Sequence, residues 1–168
     1  GADPNRVVTF HSLSKRSNLP GLRSGFAASG EKNIRQMKKL RAYSGAPIPE
    51  PLQHVSASVW NDEDHVIQNR NIYKKKYKFA DQIFDDFDGY VSPEAGFFLW
   101  LNVGDGEKTA LELWQSCGVR VLPGRYLAKD LKGQSPGDRF IRVAMVSELE
   151  ETKDGLKKIR EFLRKAEE

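Results

Sequence analysis

The sequence predicts an α/β fold, and three observations carry that reading. Short apolar runs bounded by turn residues recur at residues 7–10, 25–28, 97–103, 119–122 and 139–146, the lengths of buried strands. Between them lie stretches whose apolar residues repeat at three- and four-residue steps, the period of a helix with one buried face. The third observation is a lysine between small hydroxyl residues, Ser12-Leu13-Ser14-Lys15, placed at the end of the first apolar run, which sets a chemically equipped loop at a strand end.

Taken in order, residues 7–10 read as a strand feeding the lysine loop and residues 25–28 as a strand returning from it. Residue 31 to about residue 43 follows as a helix with Ile34, Met37 and Leu40 on one stripe, and Pro47, Pro49 and Pro51 end that segment. Leu52, Val55, Val59 and Trp60 outline a short amphipathic helix. Asp62 caps a longer one, whose stripe of Val66, Tyr73, Tyr77, Ala80, Phe84 and Phe87 is core, and Gly89 stops it. Strands at 97–103 and 119–122 flank a helix over 107–117 that Gly118 terminates, and 139–146 supplies another strand. Ser147 with Glu150 forms a capping-box pattern, and Leu149, Leu156, Ile159 and Leu163 give the final helix its buried face.

A chain of 168 residues with 39% hydrophobic content can bury the core of one domain or slightly more. Its net charge of +4 comes from 27 basic and 23 acidic residues that are interleaved, so Lys74-Lys75-Lys76 and Lys78 read as a solvated helix face rather than a nucleic-acid surface. The single cysteine, Cys117, excludes an internal disulfide and a clustered-cysteine metal site, and its helical spacing from Leu111 and Trp114 reads as a packed thiol. No apolar run is long enough to cross a bilayer, and the first residues lack the pattern of a signal peptide; the expected location is the cytoplasm. Asp85-Asp86-Phe87-Asp88 lacks the spacing of a calcium loop and reads as solvated. His11 reads as a loop packing residue, and His54 and His65 as structural or solvent-exposed.

The run from Ser12 to Phe26, with Lys15 between hydroxyl residues followed by Asn18-Leu19, Gly21, Arg23 and Gly25, resembles the cofactor-lysine signature of the class I/II aminotransferases. It departs from the usual pattern at Ser24, where the family has an aliphatic residue. The resemblance covers essentially the whole chain. It implies the end of a fold-type I aminotransferase large domain plus the C-terminal small α/β domain: residues 1–50 a remnant of the large cofactor-binding domain, 51–88 connecting helices, and 89–168 the small domain.

The cofactor so implied is pyridoxal 5′-phosphate. Lys15 is then the catalytic residue that carries it and moves the substrate's α-proton, a task for an amine that loses its proton near neutrality. Ser12 and Arg23 bind the cofactor with it, the hydroxyl and the planar guanidinium both suiting phosphate oxygens. In Phe140-Ile141-Arg142-Val143-Ala144, Arg142 matches the strand-borne arginine that grips the substrate α-carboxylate. The family's acidic partner of the pyridine nitrogen and its ring-stacking aromatic are expected in a preceding portion.

The implied function is amino transfer from an amino acid, glutamate by expectation, to an oxo acid, by a homodimer acting on small molecules without nucleic acid or membrane. Residues 43–56, with Trp60 to Val66 and Asn69-Arg70, are most similar to bacterial succinyldiaminopimelate aminotransferases, which implies lysine biosynthesis and an N-succinylated keto acid as acceptor. A broad-specificity aspartate or aromatic aminotransferase is the alternative within the family. A non-catalytic folded fragment is the alternative outside it.

Overall fold

In the computed structural model, Thr9–Ser12 (β1) and Gly25–Ala28 (β2) pair antiparallel, with Thr9 opposite Ala28 and Ser12 opposite Gly25. Residues 3–45 and 47–167 are described; Ala46, within the substrate-linked run 43–56, lies outside them. The pairing register moves the first strand two residues past the expected 7–10. Val7 and Val8 precede it and are exposed, because β2 ends at Ala28 and offers them no partner. A single helical turn, Leu13–Arg16 (α1), follows β1 directly.

Three longer helices come next: Glu31–Arg41 (α2), Glu50–Asn61 (α3) and Asp64–Ile83 (α4). The prolines, expected to end α2, instead start α3: α2 already stops at Arg41, while Pro49 takes the N-cap position of α3 and a proline lies in its first turn. Asp62 sits one residue before the cap position of α4, which Glu63 takes, yet its carboxylate accepts from the Asp64 N–H at 2.9 Å. The α2 stripe also departs from expectation, since Leu40 is exposed and the helix buries no residue.

By chain contacts these elements fall into two compact units, Gly1–Asn69 and Arg70–Glu168. The second contains Phe98–Asn102 (β3), Gly106–Cys117 (α5), Leu122–Pro123 (β4), Phe140–Ala144 (β5) and Leu149–Glu167 (α6). The three strands form an antiparallel sheet in the order β3-β5-β4. Strand period puts Leu99, Leu101, Ile141 and Val143 on one face, where they join Ala80, Phe84, Leu113, Leu156, Ile159 and Leu163 in the core. Each such leucine or isoleucine contributes about 1.5–3 kcal/mol by leaving water. The opposite face carries Phe98, Trp100, Phe140 and Arg142, and Trp100 stands across from Arg142 in the register.

Several expectations are corrected in this unit. The strand expected at 119–122 pairs only over Leu122–Pro123; Val119 and Val121 pack on the core without joining the sheet. The core face of α5 is Ala110, Leu113 and Cys117, while Leu111 and Trp114 are exposed on the other side. Glu148, not Ser147, sits at the cap position of α6: the Thr152 N–H donates to the Glu148 carbonyl, and the Ser147 carbonyl accepts from Thr152 Oγ1 and Lys76 Nζ. Lys76 is therefore no part of a solvated face. It is 3% exposed, with Nζ donating to the carbonyls of Met145 at 2.8 Å and Ser147 at 2.5 Å. Asp86 likewise does more than face water, since it accepts from the buried Arg160 at 3.0 Å and from Arg164 at 2.8 Å, which holds its carboxyl below the usual carboxylate range. Among the described residues no helix is long and apolar enough to cross a membrane, and no histidine, cysteine and carboxylate cluster could hold a metal ion.

Candidate active site

The lysine turn is built into the loop that connects β1 to β2, at the Ser12–Gly25 end of the pair. Past the last paired residues, Ser12 and Gly25, the ladder continues through one more bond, from the Leu13 N–H to the Ser24 carbonyl at 3.1 Å. The strands approach so closely that a Cβ on Gly25 would lie 2.5 Å from the His11 carbonyl oxygen, so only glycine fits there. The Ser12 hydroxyl caps α1 by accepting from the Ser14 N–H at 3.1 Å. It also lies 3.0 Å from the Ser14 hydroxyl and 3.3 Å from the Ser24 carbonyl. Two hydroxyls and the exposed Lys15 thus stand within one turn.

Arg23 belongs to the same loop, just before β2. Its backbone is left-handed, with φ of 50°, a conformation that costs a non-glycine residue about 1–2 kcal/mol and that tends to persist where function requires it. Its Nη1 donates to the Pro20 carbonyl at 3.1 Å. The structure therefore gathers Ser12, Lys15 and Arg23 at one hairpin end. Ser24, the departure from the family pattern, is buried.

Arg142 lies in the second unit and is described there alone. Its guanidinium carbon stands 4.2 Å from the centre of the Phe98 ring, a cation–π contact that fixes the plane of the fork. Its Nε is buried and has no hydrogen-bond partner among the described residues, a donor that a carboxylate would satisfy. Arg139 is exposed and reaches Asn102.

Sequence reasoning missed what supports the turn from below. Arg16 reaches the end of α3, and His65 links Ser17 to Asp62, with Nε2 at 2.9 Å from Ser17 Oγ and Nδ1 at 2.8 Å from the Asp62 carboxylate. That histidine contact is the main cause that holds the Asp62 carboxyl below its ordinary value. His11 lies in β1, not in the loop where it was expected, and forms an aromatic cluster with Phe26 and Trp60 at 5.8 and 5.1 Å, those two rings being 5.0 Å apart. No motif marks Arg16, whose partners are mostly groups remote in sequence, three of them backbone carbonyls.

An exposed lysine on a hydroxyl-lined turn at a strand end, followed by a small antiparallel α/β unit, matches the fold-type I α/β class of its structural neighbours. The family described as aminotransferase class I and II matches residues 1–159, and the chain belongs to that family. A crystal structure of an aminotransferase from Neisseria meningitidis superposes with a TM-score of 0.91 at 36% identity, covering 96% of this chain and 42% of that one. The transaminase OxyQ of Streptomyces rimosus, which acts on 4-dedimethylamino-4-oxo-anhydrotetracycline, is 26% identical over 148 residues, 88% of this chain and 40% of its own. An LL-diaminopimelate aminotransferase of Dehalococcoides mccartyi is 26% identical over 160 residues, 92% of this chain and 40% of its own. The chain spans about two fifths of the length of these relatives. Class I and II aminotransferases depend on pyridoxal phosphate, and the donor set fits that group: an amine for its aldehyde, and hydroxyl and guanidinium donors for its phosphate.

Proposed function

We propose that this chain supplies the cofactor-carrying lysine, the phosphate-binding donors and the carboxylate-reading arginine of an enzyme that moves an amino group between an amino acid and an oxo acid. The observation that carries the reading is the Ser12–Lys15 turn at the hairpin end, with Arg23 strained into a left-handed conformation in the same loop. Bound pyridoxal phosphate supplies the aldehyde and the electron sink that labilise the α-carbon of the amino donor. Lys15 Nζ would hold the cofactor, and its amine would serve as the base that takes the proton from the substrate's α-carbon. Ser12 and Arg23 would hold the phosphate through a hydroxyl and a guanidinium donor. Arg142 orients the substrate through its α-carboxylate, with Phe98 beneath the guanidinium keeping the fork in plane.

The reading extends to glutamate as donor, to an N-succinylated keto acid of the diaminopimelate series as acceptor, and to a homodimer. An LL-diaminopimelate aminotransferase among the relatives supports the diaminopimelate series, and the succinyl group rests on the resemblance of residues 43–56, 60–66 and 69–70 alone. The test is amino transfer from glutamate by the full-length protein to a panel of oxo acids. Fastest transfer to the succinylated acid is expected. Preference for oxaloacetate or an aromatic oxo acid would make this a broad-specificity enzyme instead, and no transfer to any acceptor would remove the enzymatic reading.

A further inference from the structure

We propose that Arg16 is a positioning residue for Lys15: it locks the lysine turn onto the C-terminal end of α3. The proposal rests on the role of Lys15 given above.

The last carbonyls of a helix have no partner within the helix and carry its negative end. At the end of α3 two of them are taken by one side chain. Arg16 Nη1 donates to the Val59 carbonyl at 3.1 Å, and Nη2 lies 3.4 Å from the Trp60 carbonyl. The same fork donates to the Ser17 hydroxyl at 3.2 Å, to the Asp62 carbonyl at 3.4 Å and to the Glu63 carboxylate. Its guanidinium carbon stands 4.9 Å from the centre of the Trp60 ring. The side chain is 8% exposed, whereas the Glu63 side chain is 61% exposed. Arg16 is thus a buried anchor whose strongest ionic partner sits at the surface.

The neighbours of Lys15 are held by this arrangement. Leu13 is fully buried and Ser17 nearly so, and the Ser17 hydroxyl meets both Arg16 and His65. One face of the turn, formed by Leu13, Arg16 and Ser17, is fixed to the α3–α4 corner. Lys15 lies on the other. A turn of four residues has almost no stability of its own, so what directs the lysine amine must come from outside it. A lysine at position 16 would keep the charge but could not bridge three carbonyls, a hydroxyl and a carboxylate with one nitrogen.

The experiment compares the full-length wild type with Arg16→Lys. In the cofactor-free protein, hydrogen exchange is followed at the Ser17 and Leu19 amides, both of which donate to the Leu13 carbonyl. In the holoenzyme, steady-state kinetics are measured with glutamate. Exchange at both amides is expected to quicken about tenfold. The kcat is expected to fall about tenfold with KM for the donor within twofold, because misplacing the proton-moving amine slows chemistry and leaves carboxylate binding alone. Unchanged exchange, or a fall in kcat matched by a rise in KM, overturns the proposal. Inactive wild-type holoenzyme would refute the transamination reading, and exchange at Ser17 would still decide the anchor. If Arg16→Lys does not fold, Glu63→Gln serves in its place: exchange quickened a few-fold supports the anchor, and unchanged exchange overturns it.

Discussion

Arg142 shows how far a single side chain can be read. Its place in an alternating strand fixed which face it would occupy, and the motif around it suggested a carboxylate. What the sequence could not show is the Phe98 ring beneath the guanidinium or the buried, partnerless Nε. Arg142→Lys keeps the charge and loses the two-pronged geometry, so kcat/KM for the amino donor should fall by about 1.5–3 kcal/mol, roughly 10- to 100-fold, mostly through KM. Unchanged steady-state constants would place the side chain outside substrate recognition. That Ser12, Lys15 and Arg23 share one loop was legible because their motif is local. The roles of Arg16 and Lys76 were not, because each reaches backbone carbonyls more than forty residues away, and carbonyls carry no sequence signature.

At the scale of elements, helices were easier to read than strands. Ala80 and the face of Leu156, Ile159 and Leu163 lie in the core as their spacing required, whereas α4 ends at Ile83, before the expected stop at Gly89, so Phe84 and Phe87 reach the core from beyond the helix. Strand limits moved, because pairing depends on the partner: β1 slid to Thr9–Ser12 to meet β2, and β4 shrank to two residues beside β5. Within α4, Lys76 ties the helix to the turn between β5 and α6. Lys76→Ala removes the packed stem and both bonds, and should cost about 2–3 kcal/mol in a denaturant titration. Burial holds this amine below the ordinary lysine value of 10.5. Between the lowered value and 10.5 the unfolded chain binds the extra proton, so Lys76 makes stability rise with pH in that window. Lys76→Ala should lose that rise. A wild-type curve that matches the variant across the window would show that the amine titrates alike in both states.

For the whole molecule, the two units differ in how well they bury themselves. The second has a closed core around its sheet, whereas the β1–β2 hairpin leaves Phe10, Phe26, Val7 and Val8 exposed. Two strands alone are marginal, and exposed apolar edges recruit partners. The 168-residue chain should therefore self-associate in sedimentation experiments, and Phe10→Lys should shift it toward monomer; a wild type that sediments as a monomer at every concentration would contradict this. The composition showed no trace of this exposure, since a buried strand and an uncovered one have the same residues. The central claim is that Lys15 carries the cofactor, and one measurement tests it directly: borohydride reduction of the full-length protein with pyridoxal phosphate, followed by peptide mapping. The account predicts the reduced adduct on Lys15 and its absence in Lys15→Ala. An adduct on any other lysine, with Lys15 unmodified, would contradict it.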